Sequence, residues 1–172
     1  MQTTLTEGLV FMSDLSGFGR ISKSIELLEL SQLLQEFAAI SWQHVSSAQG
    51  SIIKYLGDSA LGFFPSGQSD AGVQALMAMK KDIEIQLKAD GTGLKLRIGA
   101  HYGPFALTSF PPLNLPDIIG ETVNIAATMG SGGQNSHRNR LILSPEAFRS
   151  LGPELRKKFH KFTEPIVYLA NL

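Results

Sequence analysis

No stretch limits the architecture of this chain more than residues 51–64, SIIKYLGDSALGFF. Two apolar, strand-like runs meet at Gly57-Asp58, a turn signal that closes an antiparallel hairpin. Both faces of the first run are apolar except at Lys54, as befits a strand covered on both sides. Strand alternation places Lys54 on one face with Ile52 and Leu56. An ammonium there, and a carboxylate at Asp58 directly after the turn glycine, call for a reason beyond packing.

The elements around the hairpin follow from local patterning. LVFM (9–12) reads as a short buried strand ending at Asp14, and SDLSGFG supplies turn chemistry. Leu27, Leu30, Leu34 and Phe37 predict a helix over about residues 24–49 that stops at Gly50. A second helix begins near Ser69 or Asp70, carries Val73, Leu76, Met77, Ile83 and Leu87 on one face, and ends in DGTG. LKLRIGAHYG (94–103) alternates as a strand, which Gly103-Pro104 is expected to turn. PPLNLPD reads as a loop, GETVNIAATM as a short helix, and GSGGQNSHRN as a polar loop. RLIL is a strand, SPEAFRSL a helix capped by Ser144 with Pro145 in its first turn, and EPIVYLA a last strand. The order β, α, β, β, α, β with an αβ extension predicts an α+β, ferredoxin-like core: an antiparallel sheet with helices on one face. No linker divides residues 1–172, so one domain is expected. About seven residues precede the first strand, so no upstream sensor domain is expected.

Composition narrows the function classes. Fifteen basic residues balance fifteen acidic ones, giving no electrostatic case for a nucleic-acid or membrane-surface partner. The absence of cysteine excludes disulfides, thiolate metal sites and thiol catalysis. No apolar run suits membrane insertion and no signal peptide opens the chain, so a cytoplasmic location is expected. His44, His101, His137 and His160 lack metal-ligand spacing and read as structural or exposed.

Asp14 and Asp58 both fall where strands end. In a ferredoxin-like sheet the first strand lies beside the hairpin, so the two carboxylates can meet at one edge. Paired aspartates next to the backbone amides of SGFG suit magnesium and a polyphosphate. Each taken alone also reads as a helix cap or a turn residue.

FMSDLSGFGRIS, IIKYLGDSALGFFP, LRIGAHYGP and DIIGETVNIAATM occur in this order, and together they resemble the catalytic domain of the class III nucleotidyl cyclases, the adenylate and guanylate cyclases, over roughly residues 8–170. The resemblance implies two Mg²⁺ (or Mn²⁺) ions per site, held by Asp14 and Asp58 with Leu15 alongside. One ion would activate the ribose 3′-hydroxyl and the other would anchor the triphosphate. Gly17 and Phe18 fall on the nucleotide side. Lys54 and Asp117 match the base-selecting pair, and Asn124 the residue that holds the ribose. Adenine offers a ring-nitrogen acceptor to Lys54 and an amino donor to Asp117, so the pair favours ATP over GTP. The family works as a head-to-tail dimer, so the resemblance implies a homodimer with two equivalent sites. The implied reaction is cyclisation of ATP to 3′,5′-cyclic AMP with release of pyrophosphate.

Two positions depart from the family pattern. Thr128 stands where a transition-state arginine is usual, four residues after Asn124, and His160 stands where a phosphate-binding lysine is usual. Lys161 is one residue off, and a one-residue shift reverses a strand side chain. Lys157 and Lys158 are near, and Arg138 and Arg140 follow in the polar loop. Loss of one such donor typically costs ~10²–10³ in rate, so slow turnover is expected. The alternatives are a cyclase with GTP or pyrimidine specificity, a nucleotide-binding module without turnover, and a purely structural dimerisation domain. The hairpin signature of diguanylate cyclases and the Walker phosphate loop are both absent.

Overall fold

The computed structural model describes residues 3–131, 140–163 and 165–171. Its core elements are β1 (Thr4–Ser16), α1 (Phe18–Ile21), α2 (Leu27–Ser47), β2 (Ser51–Leu56), β3 (Ser59–Pro65), α3 (Ser69–Ala89) and β4 (Lys95–Phe110). The remainder comprises β5 (Leu115–Ile119), α4 (Glu121–Gly130), β6 (Leu141–Leu143), α5 (Pro145–Arg149), α6 (Pro153–Arg156), β7 (Phe159–Thr163) and β8 (Ile166–Ala170). The expected βαββαβ order is present. One sheet runs β2-β3-β1-β4-β6-β8-β7, with β5 paired to β4 off that path.

Three details differ from the sequence reading. The sheet is mixed at one place, because β4 and β6 pair in parallel while the other pairs are antiparallel. The chain between these strands crosses over through α4, and a crossover is what parallel neighbours require. Second, Gly103-Pro104 does not turn β4. Gly103 lies opposite Gly8 and Pro104 opposite Glu7 on β1, and the Thr122 hydroxyl donates to the Pro104 carbonyl at 2.6 Å. The long first strand thus templates β4 straight through the proline. The reversal comes later, after Phe110, and part of PPLNLPD becomes β5.

Third, the helices do not all lie on one face. Leu9, Phe11 and Leu15 of β1 pack with Phe37 of α2, Leu76 and Ile83 of α3, and Leu155 of α6. Val10 and Leu61 point the other way and pack with Val123 and Ala126 of α4. The amphipathic α2 and α3 therefore cover one face, and α4 covers the opposite one.

Glycines let α4 approach that second face. A Cβ at Gly99 of β4 would stand 2.6 Å from Met129, and one at Gly130 would stand 2.8 Å from the Met12 Cβ. The end of α4 thus rests on the backbone of β1 and β4. At the end of α2, by contrast, the left-handed residue is Gln49 (φ 60°), not the glycine expected to stop the helix. Gly50 is needed for space, since its Cβ would meet the Phe64 ring at 2.6 Å.

Gly99→Ala forces α4 away from the sheet and is expected to destabilise the protein by about 1–3 kcal/mol. A urea unfolding curve for the variant beside wild type checks this; an unchanged midpoint would contradict the close seating of α4.

Candidate active site

β1 delivers the first carboxylate. It is central, with β3 on one side and β4 on the other, and Asp14 lies opposite both Ser59 and Arg97. Those two neighbours touch its carboxylate. The Ser59 hydroxyl donates to Asp14 Oδ1 at 2.8 Å, and the Arg97 guanidinium comes within 3.9 Å of Oδ2. Arg97 is itself buried. It donates to the Ser16 hydroxyl at 3.0 Å and to the Gly130 carbonyl at the end of α4.

The hairpin turn brings the second carboxylate. The Leu15 amide donates to the Asp58 carbonyl at 3.2 Å, tying the β2–β3 turn to the end of β1. Burial raises the Asp58 carboxyl above its ordinary value, the charge of Asp14 raises it further, and a backbone hydrogen bond opposes both. The charges of Asp14 and Asp58 thus interact at the strand ends, where the element order allows the two carboxylates to meet. The Leu15 side chain is buried, so this residue can offer a metal only its backbone carbonyl. Gly17 follows in the left-handed region (φ 94°) and opens the one-turn α1 through Phe18, whose ring leans on the core.

These donors fit a divalent cation. Two hard carboxylates that repel each other, with a carbonyl beside them, make the incomplete oxygen set that Mg²⁺ occupies together with substrate phosphates. Among the described residues no cluster of three or more metal-ligating side chains occurs, so substrate or water oxygens would complete the coordination.

A second constellation forms on the α4 face of the sheet. Lys54 Nζ donates to Asp117 Oδ2 at 2.6 Å, and Asp117 Oδ1 accepts from the Ile118 amide at 2.8 Å. The expected face for Lys54 is corrected here. A register irregularity between Ile52 and Lys54 places Ile52 opposite Gly62 and Lys54 opposite Leu61. Ile52 packs with the α2–α3 core, whereas Leu61 belongs to the α4 side. The bulge thus separates Lys54 from Ile52 and turns it to Asp117.

Asn124 and Thr128 lie one turn apart on the exposed side of α4. The Thr128 hydroxyl donates back to the Asn124 carbonyl at 2.8 Å, so the position usual for an arginine is neutral and satisfied within its own helix. The basic residues near the C-terminus lie elsewhere. His160 Nδ1 is 2.6 Å from Asn171 Oδ1, Lys157 pairs with Glu154 at 2.6 Å, and Lys158 borders a groove on α3. Lys161 lies opposite Tyr168 in the β7–β8 pair. The Arg140 carbonyl accepts from the Ile98 amide, and Arg138 and His137 lie outside the described residues.

The cation at Asp14 is Arg97, which the sequence reading passed over. Its signal was the one charged residue in the apolar run LRIGA of a central strand.

Residues 3–168 match the adenylate and guanylate cyclase catalytic domain, and the chain belongs to that family. An adenylate cyclase of Anabaena cylindrica is 24% identical over 152 residues, 83% of this chain and 30% of the relative. One from Streptomyces coelicolor is 31% identical over 123 residues, covering 71% and 29%. The chain therefore spans less than a third of the length of these relatives. Among solved structures, the adenylyl cyclase CyaB from P. aeruginosa superposes with a TM-score of 0.82 at 23% identity, covering 99% of this chain and 96% of that one. The guanylyl cyclase Cya2 gives 0.80 at 17%, covering 99% and 93%. At these identities the likeness shows the shared fold. No helix among the described residues is long and apolar enough to cross a membrane.

The raised Asp58 pKa has a signed consequence for stability. Between the ordinary carboxylate value and the raised one, the folded state holds more protons than the unfolded state. Stability from this group therefore falls as pH rises through that window. Asp58→Asn is expected to raise the Tm of the metal-free protein at neutral pH, and Mg²⁺ is expected to raise the Tm of wild type but not of this variant. Thermal melts with and without Mg²⁺ check both signs.

Proposed function

We propose that this chain cyclises ATP to 3′,5′-cyclic AMP and pyrophosphate in a homodimer, with residues 1–172 acting as one catalytic domain. The observation that carries this reading is the Asp14–Asp58 pair, held against the end of the central strand and raised in proton affinity at Asp58. Mg²⁺ at Asp14, Asp58 and the Leu15 carbonyl would supply the charge that activates the ribose hydroxyl and neutralises the triphosphate.

The chain's own residues do the rest. The ribose 3′-oxygen attacks the α-phosphorus, its proton leaves, and the bond to the pyrophosphate oxygen breaks. Gly17 and Phe18 border the phosphates where α1 begins. Arg97, buried and bonded to Ser16 and Gly130, stands 3.9 Å from Asp14 and holds that carboxylate in place. Lys54 and Asp117 read adenine, as donor to its ring nitrogen and acceptor from its amino group. Asn124 holds the ribose; its exposed amide has no hydrogen-bond partner among the described residues. In the head-to-tail arrangement one copy supplies the carboxylates, and its partner supplies Lys54, Asp117 and Asn124. That Lys54 and Asp117 already satisfy each other supports a nucleotide that competes for a preformed pair.

A second reading rests on Thr128 and His160. Both are bonded within their own subunit, so a module that binds nucleotide without turnover fits those two positions.

The test is cyclic product and pyrophosphate from ATP, GTP, CTP and UTP with Mg²⁺ or Mn²⁺. Wild type is expected to make cyclic AMP slowly, and Asp14→Ala/Asp58→Ala none. Restoring the charge in Thr128→Arg is expected to raise kcat by about tenfold or more, part of the ~10²–10³ one such donor supplies. Metal-dependent binding without product from any nucleotide would establish the second reading instead.

A further inference from the structure

On the sheet face remote from α4, the outer side of α3 and the chain after α6 enclose a groove of about 730 Å³, within the size range of small-molecule sites. Its lining is chemically divided. Met77, Ala78 and Ile85 are apolar, and Ile85 is 58% exposed despite its size. Lys81, Lys88 and Lys158 also border it, and no ion-pair partner for these three occurs among the described residues. Met77, Lys81, Ile85 and Lys88 follow one another at helical spacing, so apolar and cationic positions alternate along one stripe of α3.

Glu84, the acid among the described lining residues, does not offset those charges. Glu84 accepts from Lys80 Nζ at 2.5 Å and from the Leu96 amide at 3.1 Å, while Lys80 also donates to the Leu96 carbonyl at 2.7 Å. Lys80 and Glu84 are thus occupied in clamping α3 to the start of β4, and they cancel each other. Among the described residues, the groove keeps the ammonium groups of Lys81, Lys88 and Lys158 without ion-pair partners beside an apolar floor.

We propose that this groove binds an anionic amphiphile, a single acid head on an apolar chain. The head would be held by Lys81, Lys88 and Lys158, and the chain would lie over Met77, Ala78 and Ile85. The charge is complementary to an acid, and the apolar floor excludes a small inorganic anion as the full occupant. No residue of the nucleotide site is used, so the inference stands apart from the proposed reaction.

Titration calorimetry on the full chain, with decanoate below its micelle-forming concentration as the probe, tests the proposal. Saturable binding at one site per chain is expected, with no comparable binding of acetate or of decyltrimethylammonium. Lys81→Glu/Lys88→Glu changes only the outer face of α3. It is expected to weaken decanoate at least about tenfold, about 1.4 kcal/mol, with an unchanged circular-dichroism spectrum. Absence of saturable decanoate binding, equal binding of acetate or of the cationic amphiphile, or undiminished binding by a folded double variant would each overturn it. Ile85→Glu provides an independent arm: unchanged affinity there would remove the apolar floor from the account.

Discussion

The carboxylate of Asp14 is held by strand register, and the rest of the site is arranged around it. Asp14 lies on a central strand, and its two cross-strand neighbours bring the Ser59 hydroxyl to Oδ1 at 2.8 Å and the Arg97 guanidinium to within 3.9 Å of Oδ2. A slip of one residue in either pairing would turn those partners to the other face. Arg97 links this register to α4 through the Gly130 carbonyl, and the glycines at 99 and 130 let α4 come close enough for that bond. The carboxylate, the buried cation and the helix bearing Asn124 are therefore one mechanical unit. The hairpin adds Asp58 through the β1–β3 ladder, which ends at Asp14 and Ser59, and through the Leu15 amide bond to the Asp58 carbonyl beyond it.

Much of this was legible from local chemistry. The hairpin, the bounds of α3 and the Ser144 cap, whose hydroxyl accepts from the Ala147 amide at 3.1 Å, follow from turn residues and periodicity. The carboxylate pair followed from element order alone. What escaped depends on non-local pairing. Nothing in the run Ser-Ile-Ile-Lys marks a bulge, because neither a glycine nor a proline interrupts it; the irregularity is set by how β2 meets β3. The passage of β4 through Gly103-Pro104 is imposed by thirteen residues of β1. Lys157, which the sequence alone does not place, pairs with Glu154, and His160 meets Asn171 eleven residues on.

The bulge also explains the lysine in the hairpin. An ammonium on the α2–α3 face of β2 would have stood among core side chains such as Ile52, near the Phe37–Tyr55 aromatic contact. Turned to the other face, it meets Asp117 and keeps 37% of its side-chain surface in solvent. Partial exposure keeps such a pair modest in its contribution to stability, so a competing ligand could open it at small cost. The same logic separates the two charged groups of the active site. Asp58 is left with raised proton affinity, while Lys54 and Asp117 satisfy each other. In the proposed head-to-tail arrangement, a subunit would bring the Asp14–Asp58 carboxylates to one site and the preformed Lys54–Asp117 pair to the other.

The central claim is that each site needs both halves, drawn from two copies. Asp14→Ala and Asn124→Ala, each inactive alone, would be mixed in equal amounts and assayed for cyclic AMP from ATP. Head-to-tail pairing predicts that activity returns in the mixture, because half of the sites in a mixed dimer inherit neither substitution. A mixture as inactive as its components, with mixed dimers demonstrated by differential tagging, would contradict the account.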